Sequence, residues 1–255
     1  MGSIEKPIVF DDVADIYDYY VTTDLDIPFY LEEFRKREGE VLELMCGTGR
    51  VSLPLIKQGN SLTCVDYSAR MLDKFQEKLV DNNLQARLVE ADICHVDLGK
   101  RFNNIFIPFN SFMELSGERK QMVALERIHD HLTDNGTFIC TLHNPAQRTR
   151  LATGEKILRG KFPLPDYQIL QLHSEEHIDS DHGLITGTQY YTIYDKHGEL
   201  LVERQLDISF NLLEREQFEH LIKRAGFNVH KLYGDYNRGK FDPQMSPFMI
   251  YCLRK

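Results

Sequence analysis

Residues 40–71 read EVLELMCGTGRVSLPLIKQGNSLTCVDYSARM. Two short apolar runs, 41–45 and 62–65, flank a turn with two glycines and a segment whose apolar side chains recur at helical spacing. The second run ends in Asp66. This order predicts a strand, a glycine loop, a helix and a second strand, which together form half of a nucleotide-binding βαβ unit.

The glycine loop, residues 46–49, helps to choose between two classes of ligand. A dinucleotide-binding loop has the pattern G-x-G-x-x-G, but Ser52 stands at the third glycine position. Glu43 lies in the first predicted strand, four residues before Gly47, where a carboxylate repels a pyrophosphate and attracts a cation. Asp66, at the end of the second strand, is placed to accept hydrogen bonds from both hydroxyls of a ribose. The loop therefore favours a nucleoside that carries positive charge.

The order of the acid, the two glycines and the strand-end acid resembles the class I S-adenosylmethionine (SAM)-dependent methyltransferases. Their usual pattern is acid-x-G-x-G-x-G, and Met45 replaces its first glycine. The resemblance implies SAM as the cofactor and S-adenosylhomocysteine as the product. In the family, an acid at the position of Asp92 accepts a hydrogen bond from the adenine amino group. The cofactor-binding residues implied in this way are Tyr17, Glu43, Met45, Cys46, Gly47, Gly49, Asp66, Tyr67, Met71, Ala91, Asp92, Ile93, Phe109 and Asn110.

The rest of the chain continues the alternation of strands and helices. Further strands are predicted at 86–91, 104–109, 137–142, 227–233 and 248–253, with helices at about 68–79, 118–132 and 214–224. Two helical segments, about 10–20 and 27–37, precede the first strand, and 160–210 carries alternating apolar runs with hairpin signals. We therefore predict an α/β protein with a Rossmann-like, seven-stranded, doubly wound sheet, an N-terminal helical cap and an inserted antiparallel β-sheet. The predicted boundaries are 1–38 for the cap, 39–150 and 211–255 for the core, and 151–210 for the insert.

The composition indicates which partners and which cellular compartment to expect. The net charge of −9 does not favour nucleic acid as a partner. No apolar run approaches the ~20 residues of a membrane span, and the N-terminus lacks the pattern of a secretory signal. The five cysteines are widely spaced, which favours neither disulfides nor a metal site. These features predict a cytoplasmic protein without a metal. The resemblance implies either a monomer or a homodimer.

The combination of cap, core and insert looks most like small-molecule methyltransferases that act on glycine or amino sugars. It implies transfer of a methyl group to the N or O of a small acceptor. Glu114 and His143 follow the fourth and fifth strands, so they are the candidate catalytic bases. In the amino-sugar enzymes a His stands near the position of Glu114. Tyr17 and Tyr20 are candidates for lid contacts.

Two alternatives use the same fold. One is a regulator that binds SAM or another nucleoside without turnover. The other is an aminopropyl transferase that uses decarboxylated SAM, against which Glu43 argues modestly.

Overall fold

A seven-stranded sheet forms the centre of the molecule in the computed structural model, which describes residues 8–35 and 39–255. Its strand order is β3-β2-β1-β4-β5-β11-β10. The strands β1 to β5 run parallel, and β11 pairs antiparallel with both β5 and β10. The strands are β1 Val41–Leu44, β2 Leu62–Asp66, β3 Arg87–Glu90, β4 Phe102–Ile107, β5 Leu132–His143, β10 Asn228–Tyr233 and β11 Phe248–Arg254. The predicted seven-stranded sheet is confirmed.

Helices cover both faces of this sheet. They are α1 Tyr17–Tyr20, α2 Ile27–Phe34, α3 Ser52–Lys57, α4 Ala69–Asp81, α5 Gly117–His131, α6 Pro145–Arg148 and α7 Arg215–Arg224. The apolar faces of α2, α3 and α4 pack into one buried cluster, and those of α5 and α7 pack into another. Because both faces are covered, β1 and β2 are buried along their whole length and read as continuous apolar runs.

A second sheet has four antiparallel strands in the order β6-β7-β8-β9. Its strands are β6 Ile157–Pro163, β7 Ile169–Asp179, β8 Leu184–Tyr194 and β9 Leu200–Asn211. One apolar cluster joins it to the N-terminal segment. That cluster contains Ile8, Val13, Ile16, Leu170, Leu172, Tyr191, Ile193, Leu206 and Ile208. The inserted antiparallel sheet is confirmed, and the cap packs against it.

The first helical segment differs from its prediction. Residues 10–20 were expected to form one helix, but they form a 3-10 helix at Phe10–Val13 and the short α1. Asp11 accepts hydrogen bonds from Ser68 Oγ at 2.6 Å and from Arg70 N at 3.2 Å, and these tertiary contacts anchor the 3-10 helix to the start of α4. The end of the second predicted helix, at residues 36–37, lies outside the described residues.

Neither described range contains a helix with the length and apolar character that crossing a membrane requires. Within the same ranges, no group of three His, Cys, Asp or Glu side chains is placed to hold a metal ion.

The turn between β1 and α3 depends on Gly49. Its φ is +76°, in the left-handed region that side chains other than glycine rarely adopt. A Cβ at this position would lie 2.3 Å from the ring of Phe75, which is fully buried on α4. The missing side chain therefore lets α4 pack directly against the loop.

Gly49→Ala is expected to lower the free energy of unfolding by about 2–4 kcal/mol, from overpacking and left-handed strain together. Gly59→Ala is the matched control, since Gly59 has φ +102° but open space at the Cβ position. The control should lose only about 1 kcal/mol. Urea denaturation of both variants measures the difference, and equal losses would show that Phe75 does not restrict position 49.

Candidate active site

Two cavities lie at the carboxyl ends of the parallel strands, the edge at which open α/β sheets bind ligands. The larger has a volume of about 370 Å³ and the smaller about 200 Å³. Met45, Asp66, Tyr67 and Glu114 line both of them. The two cavities are therefore neighbouring parts of one ligand site.

The structure brings most of the predicted cofactor residues to these two cavities. Beyond the shared residues, the larger cavity is lined by Tyr17, Gly47, Met71, Phe109, Asn110 and His143. The smaller is lined by Ala91, Asp92 and Ile93. Glu43, Cys46 and Gly49 line neither cavity.

Asp66 connects the glycine loop to α4. Its Oδ2 accepts a hydrogen bond from Gly47 N at 2.7 Å, and its Oδ1 accepts one from Ser68 N at 2.9 Å. Burial raises the pKa of this carboxyl, and the backbone donors oppose that effect. Because a carboxylate has about four acceptor sites, two remain for a ligand such as a ribose.

Glu43 lies beneath the loop rather than in a cavity. Its side chain is 1% exposed and accepts a hydrogen bond from the hydroxyl of Ser52, the residue at the third glycine position of a dinucleotide loop. Burial raises the pKa of Glu43 to about 8. A direct contact between Glu43 and the cofactor stays a prediction.

Gly47 provides the open part of the loop. Its φ is +54°, and a Cβ at this position would meet no atom within 4 Å. Because Gly47 lines the larger cavity, its backbone can approach a ligand closely.

The cap covers the larger cavity and is fastened to the loop that follows β1. Tyr17 and Tyr20 both line this cavity. Thr48 Oγ1 donates to Asp18 Oδ1 at 2.5 Å, and the Arg50 guanidinium donates to both oxygens of Asp26 at 2.5 and 2.7 Å. These contacts place the predicted lid residues beside the glycine loop.

Phe109 and Asn110 follow β4 in a strained backbone conformation. Their φ angles are +57° and +63°, which is unusual for two successive residues with side chains. Asn110 N donates to Thr141 Oγ1 at 3.2 Å, and the Arg50 guanidinium lies 4.6 Å from the centre of the Phe109 ring. These contacts hold the Asn110 side chain at the cavity wall.

The side chains of Asn110 and His143 meet at this wall, with Asn110 Nδ2 and His143 Nε2 3.2 Å apart. Asn110 Oδ1 is buried and has no hydrogen-bond partner among the described residues. Burial lowers the pKa of His143 to about 4, and the positive charge of Arg148 acts in the same direction. His143 is therefore neutral at pH 7.

Glu114, the other candidate base, lies where the two cavities meet. Burial raises the pKa of its carboxyl to about 8, and repulsion from Asp66 adds to this effect. The free protein therefore holds Glu114 largely protonated at pH 7. A bound cation would favour the ionised form.

These observations fit SAM. The cofactor carries a sulfonium, an ammonium and a ribose, and the site offers the acids Asp66 and Glu114 together with the open backbone of Gly47. Asp92, the predicted adenine ligand, lines the smaller cavity. The cavity nearer the cap would then hold the methionine end of the cofactor and the acceptor.

Sequence analysis missed part of the wall of the larger cavity. Arg148, Glu176, Gln189, Ile208 and Phe210 also line it. The first is on α6 and the others are on the second sheet, which carries no recognisable motif. The strand periodicity of the insert does show which side chains share a face, but it does not show which face meets the core.

The known proteins that this chain resembles are methyltransferases, as the geometry of the site suggests. Residues 41–136 match the model of the methyltransferase domain family. The chain is 29% identical over 153 residues to the cypemycin N-terminal methyltransferase of Streptomyces sp, covering 58% of this chain and 61% of that protein. It is 26% identical over 248 residues to the glycine/sarcosine/dimethylglycine N-methyltransferase of Actinopolyspora halophila, covering 94% of this chain and 40% of the relative. The chain thus spans less than two thirds of either protein.

The fold is also shared with a SAM-dependent methyltransferase from Clostridium acetobutylicum ATCC 824, with a TM-score of 0.80 at 18% identity. The match covers 96% of this chain and 98% of that one.

Residues 41–136 therefore form a methyltransferase domain, and the chain has the fold of SAM-dependent methyltransferases. The cofactor of such a domain is SAM, and transfer of the methyl group converts it into S-adenosylhomocysteine.

Asp66→Ala is expected to weaken SAM binding by about 2–4 kcal/mol, since two charge-assisted hydrogen bonds are lost. Asp73→Ala, an exposed acid on α4, serves as the control. Titration calorimetry with both variants measures the dissociation constants, and circular dichroism confirms folding. A folded Asp66→Ala variant with wild-type affinity would remove Asp66 from the cofactor site.

SAM binding at pH 7 is expected to release up to about one proton, because the sulfonium lowers the raised pKa of Glu114. S-adenosylhomocysteine lacks that charge and should release fewer protons. Calorimetry in buffers of different ionisation enthalpy counts the protons. Glu114→Gln should abolish the release, whereas release that persists in this variant would point to Glu43.

Proposed function

We propose that this enzyme transfers the methyl group of SAM to the nitrogen of a small-molecule amine. The observation that carries the proposal is the wall where Asn110 and His143 meet, beside the cofactor residues and beneath the second sheet. The unpaired Asn110 Oδ1 can accept a hydrogen bond from an amine N–H, while Asn110 Nδ2 donates to Nε2 of the neutral His143 and is held in place by it. This acceptor orients the nitrogen lone pair away from the wall.

Bound SAM supplies an electrophilic methyl group on a sulfonium, so the protein mainly has to align the acceptor with it. The cap and the second sheet exclude water from this alignment. Tyr17 and Tyr20 close the cavity on one side, and Phe210 and Gln189 close it on another. The acceptor must be small, because the whole cavity has a volume of about 370 Å³.

An amine must lose a proton during the transfer, and the two candidate bases suit different tasks. With its pKa near 4, His143 is a weak proton acceptor at pH 7 and serves better as a hydrogen-bond partner. Glu114, with its pKa near 8, is matched to proton transfer close to neutral pH. We assign orientation to His143 and proton acceptance to Glu114.

The relatives support nitrogen over oxygen as the acceptor atom. Both curated relatives described above are N-methyltransferases by name.

A panel of small amines, phenols and alcohols, assayed by release of S-adenosylhomocysteine, tests the proposal. Turnover with amines and not with phenols or alcohols supports it. Turnover confined to hydroxyl acceptors would contradict it. SAM binding without turnover on any member would favour the non-catalytic regulator, which has no specific observation in its favour.

The pH dependence of kcat distinguishes the two bases. In the wild type, kcat should fall as pH drops through an apparent pKa at or below about 8, because Glu114 becomes protonated. His143 titrates near 4 and should add no step between pH 5 and 8. Glu114→Gln should remove the fall, whereas His143→Gln should lower kcat by about 10–100-fold and leave the midpoint unchanged. A fall that survives in Glu114→Gln would exclude Glu114 as the base.

A further inference from the structure

Arg148 occupies an unusual position in the wall of the larger cavity. Its side chain is 10% exposed and donates through Nη2 to Glu176, whose side chain is 8% exposed. Its Nη1 is buried and has no hydrogen-bond partner among the described residues. Leaving a charged donor unpaired in a buried site is costly, so a donor of this kind calls for a ligand acceptor.

Glu176 does not neutralise the local charge. Its Oε1 also lies 3.4 Å from Arg159 Nη2 and 3.3 Å from the Ser174 hydroxyl. One carboxylate therefore serves two guanidinium groups, and the cluster of Arg148, Arg159 and Glu176 keeps a net charge of +1. Arg148 and Glu176 line the cavity and Arg159 does not, so the charged donor left for a ligand in the cavity is Arg148 Nη1.

The charged side chains at the two ends of the cavity wall have opposite signs. Among the described residues that line it, Arg148 is the one side chain with a permanent positive charge. Arg148 follows β5, and Asp66 ends β2, with β1 and β4 between these strands. At a strand spacing of about 4.8 Å, the two strand ends lie roughly 14 Å apart. The positive end is thus the one remote from the ribose-binding acid.

We infer that the acceptor amine also carries a carboxylate, which Arg148 binds through its unpaired Nη1. This inference rests on the proposed N-methyl transfer and names the class of acceptor. A singly charged carboxylate suits the site better than a phosphate, because a dianion would also face the acidic wall formed by Asp66 and Glu114. His143 lies close enough to Arg148 to feel its charge, so the carboxylate and the reacting amine would be held side by side.

The test compares acceptors that differ only in the acidic group. Glycine and phenylalanine are assayed against methylamine and phenethylamine, with the matching aminophosphonates as a third arm. In the wild type, kcat/KM should favour an amino acid over its decarboxylated amine by about 30-fold or more, as expected for a charge-assisted hydrogen bond in a buried site. Arg148→Gln should reduce this preference to about threefold or less, and Arg148→Lys should keep part of it.

Arg159→Gln is the matched control, because it removes the other partner of Glu176 without touching the cavity. It should keep most of the preference for the carboxylate, because Arg148 Nη1 stays unpaired. SAM affinity should be unchanged in Arg148→Gln, measured by calorimetry. A loss of SAM affinity in this variant would overturn the inference by showing that Arg148 binds the carboxylate of the cofactor itself.

A binding measurement separates this inference from the proposed reaction. Glycine and phenylalanine are titrated into the protein saturated with S-adenosylhomocysteine. Binding that depends on Arg148 supports the carboxylate site even if the reaction proves to differ. Absence of such binding overturns the inference. A kcat/KM for decarboxylated amines or aminophosphonates that equals or exceeds the value for the amino acids also overturns it. In that case the proposed N-methyl transfer still stands.

Discussion

The Asp66 carboxylate joins two strand ends that would otherwise be independent. It accepts one N–H from the loop after β1 and another from the start of α4. These two bonds fix the Gly47 backbone relative to Ser68, and they turn the free acceptor sites of the carboxylate toward the cavities. The glycine loop, the helix N-terminus and Asp66 therefore form one unit, and a shift in any of them moves the others.

Charge is organised around this unit. Acids dominate the cofactor end, where repulsion from Asp66 adds to the effect of burial and raises the pKa of Glu114. A cation that enters this region relieves the repulsion, so electrostatics favour SAM over its product, which lacks the sulfonium charge. At the far end of the cavity, Arg148 gives the wall a positively charged side chain. A zwitterionic acceptor would meet a field that matches its own two charges, with the amine toward the acids and the carboxylate toward Arg148.

Local sequence was sufficient to predict the β1–α3–β2 unit and the role of Asp66 as a strand-end acid, because spacing alone places these residues at one sheet edge. The same reasoning could not predict that the Glu43 side chain lies outside both cavities. Whether a strand residue faces a ligand or a neighbouring helix depends on the sheet face, and Ser52 takes the Glu43 carboxylate as its partner. Arg148 was missed for another reason. Its importance comes from pairing with Glu176, which lies on a different sheet and has no fixed sequence distance from it.

The cluster between the N-terminal segment and the second sheet has a consequence for the timing of turnover. Ile8, Val13 and Ile16 pack on Leu206 and Ile208 of β9, and Arg204 pairs with Asp15 at 2.6 Å. The cap therefore cannot swing away from the cavity without exposing apolar surface on both partners. Product that leaves past the cap would have to wait for that local opening, whose frequency would then set an upper limit on how fast the enzyme cycles, whatever the speed of the chemical step.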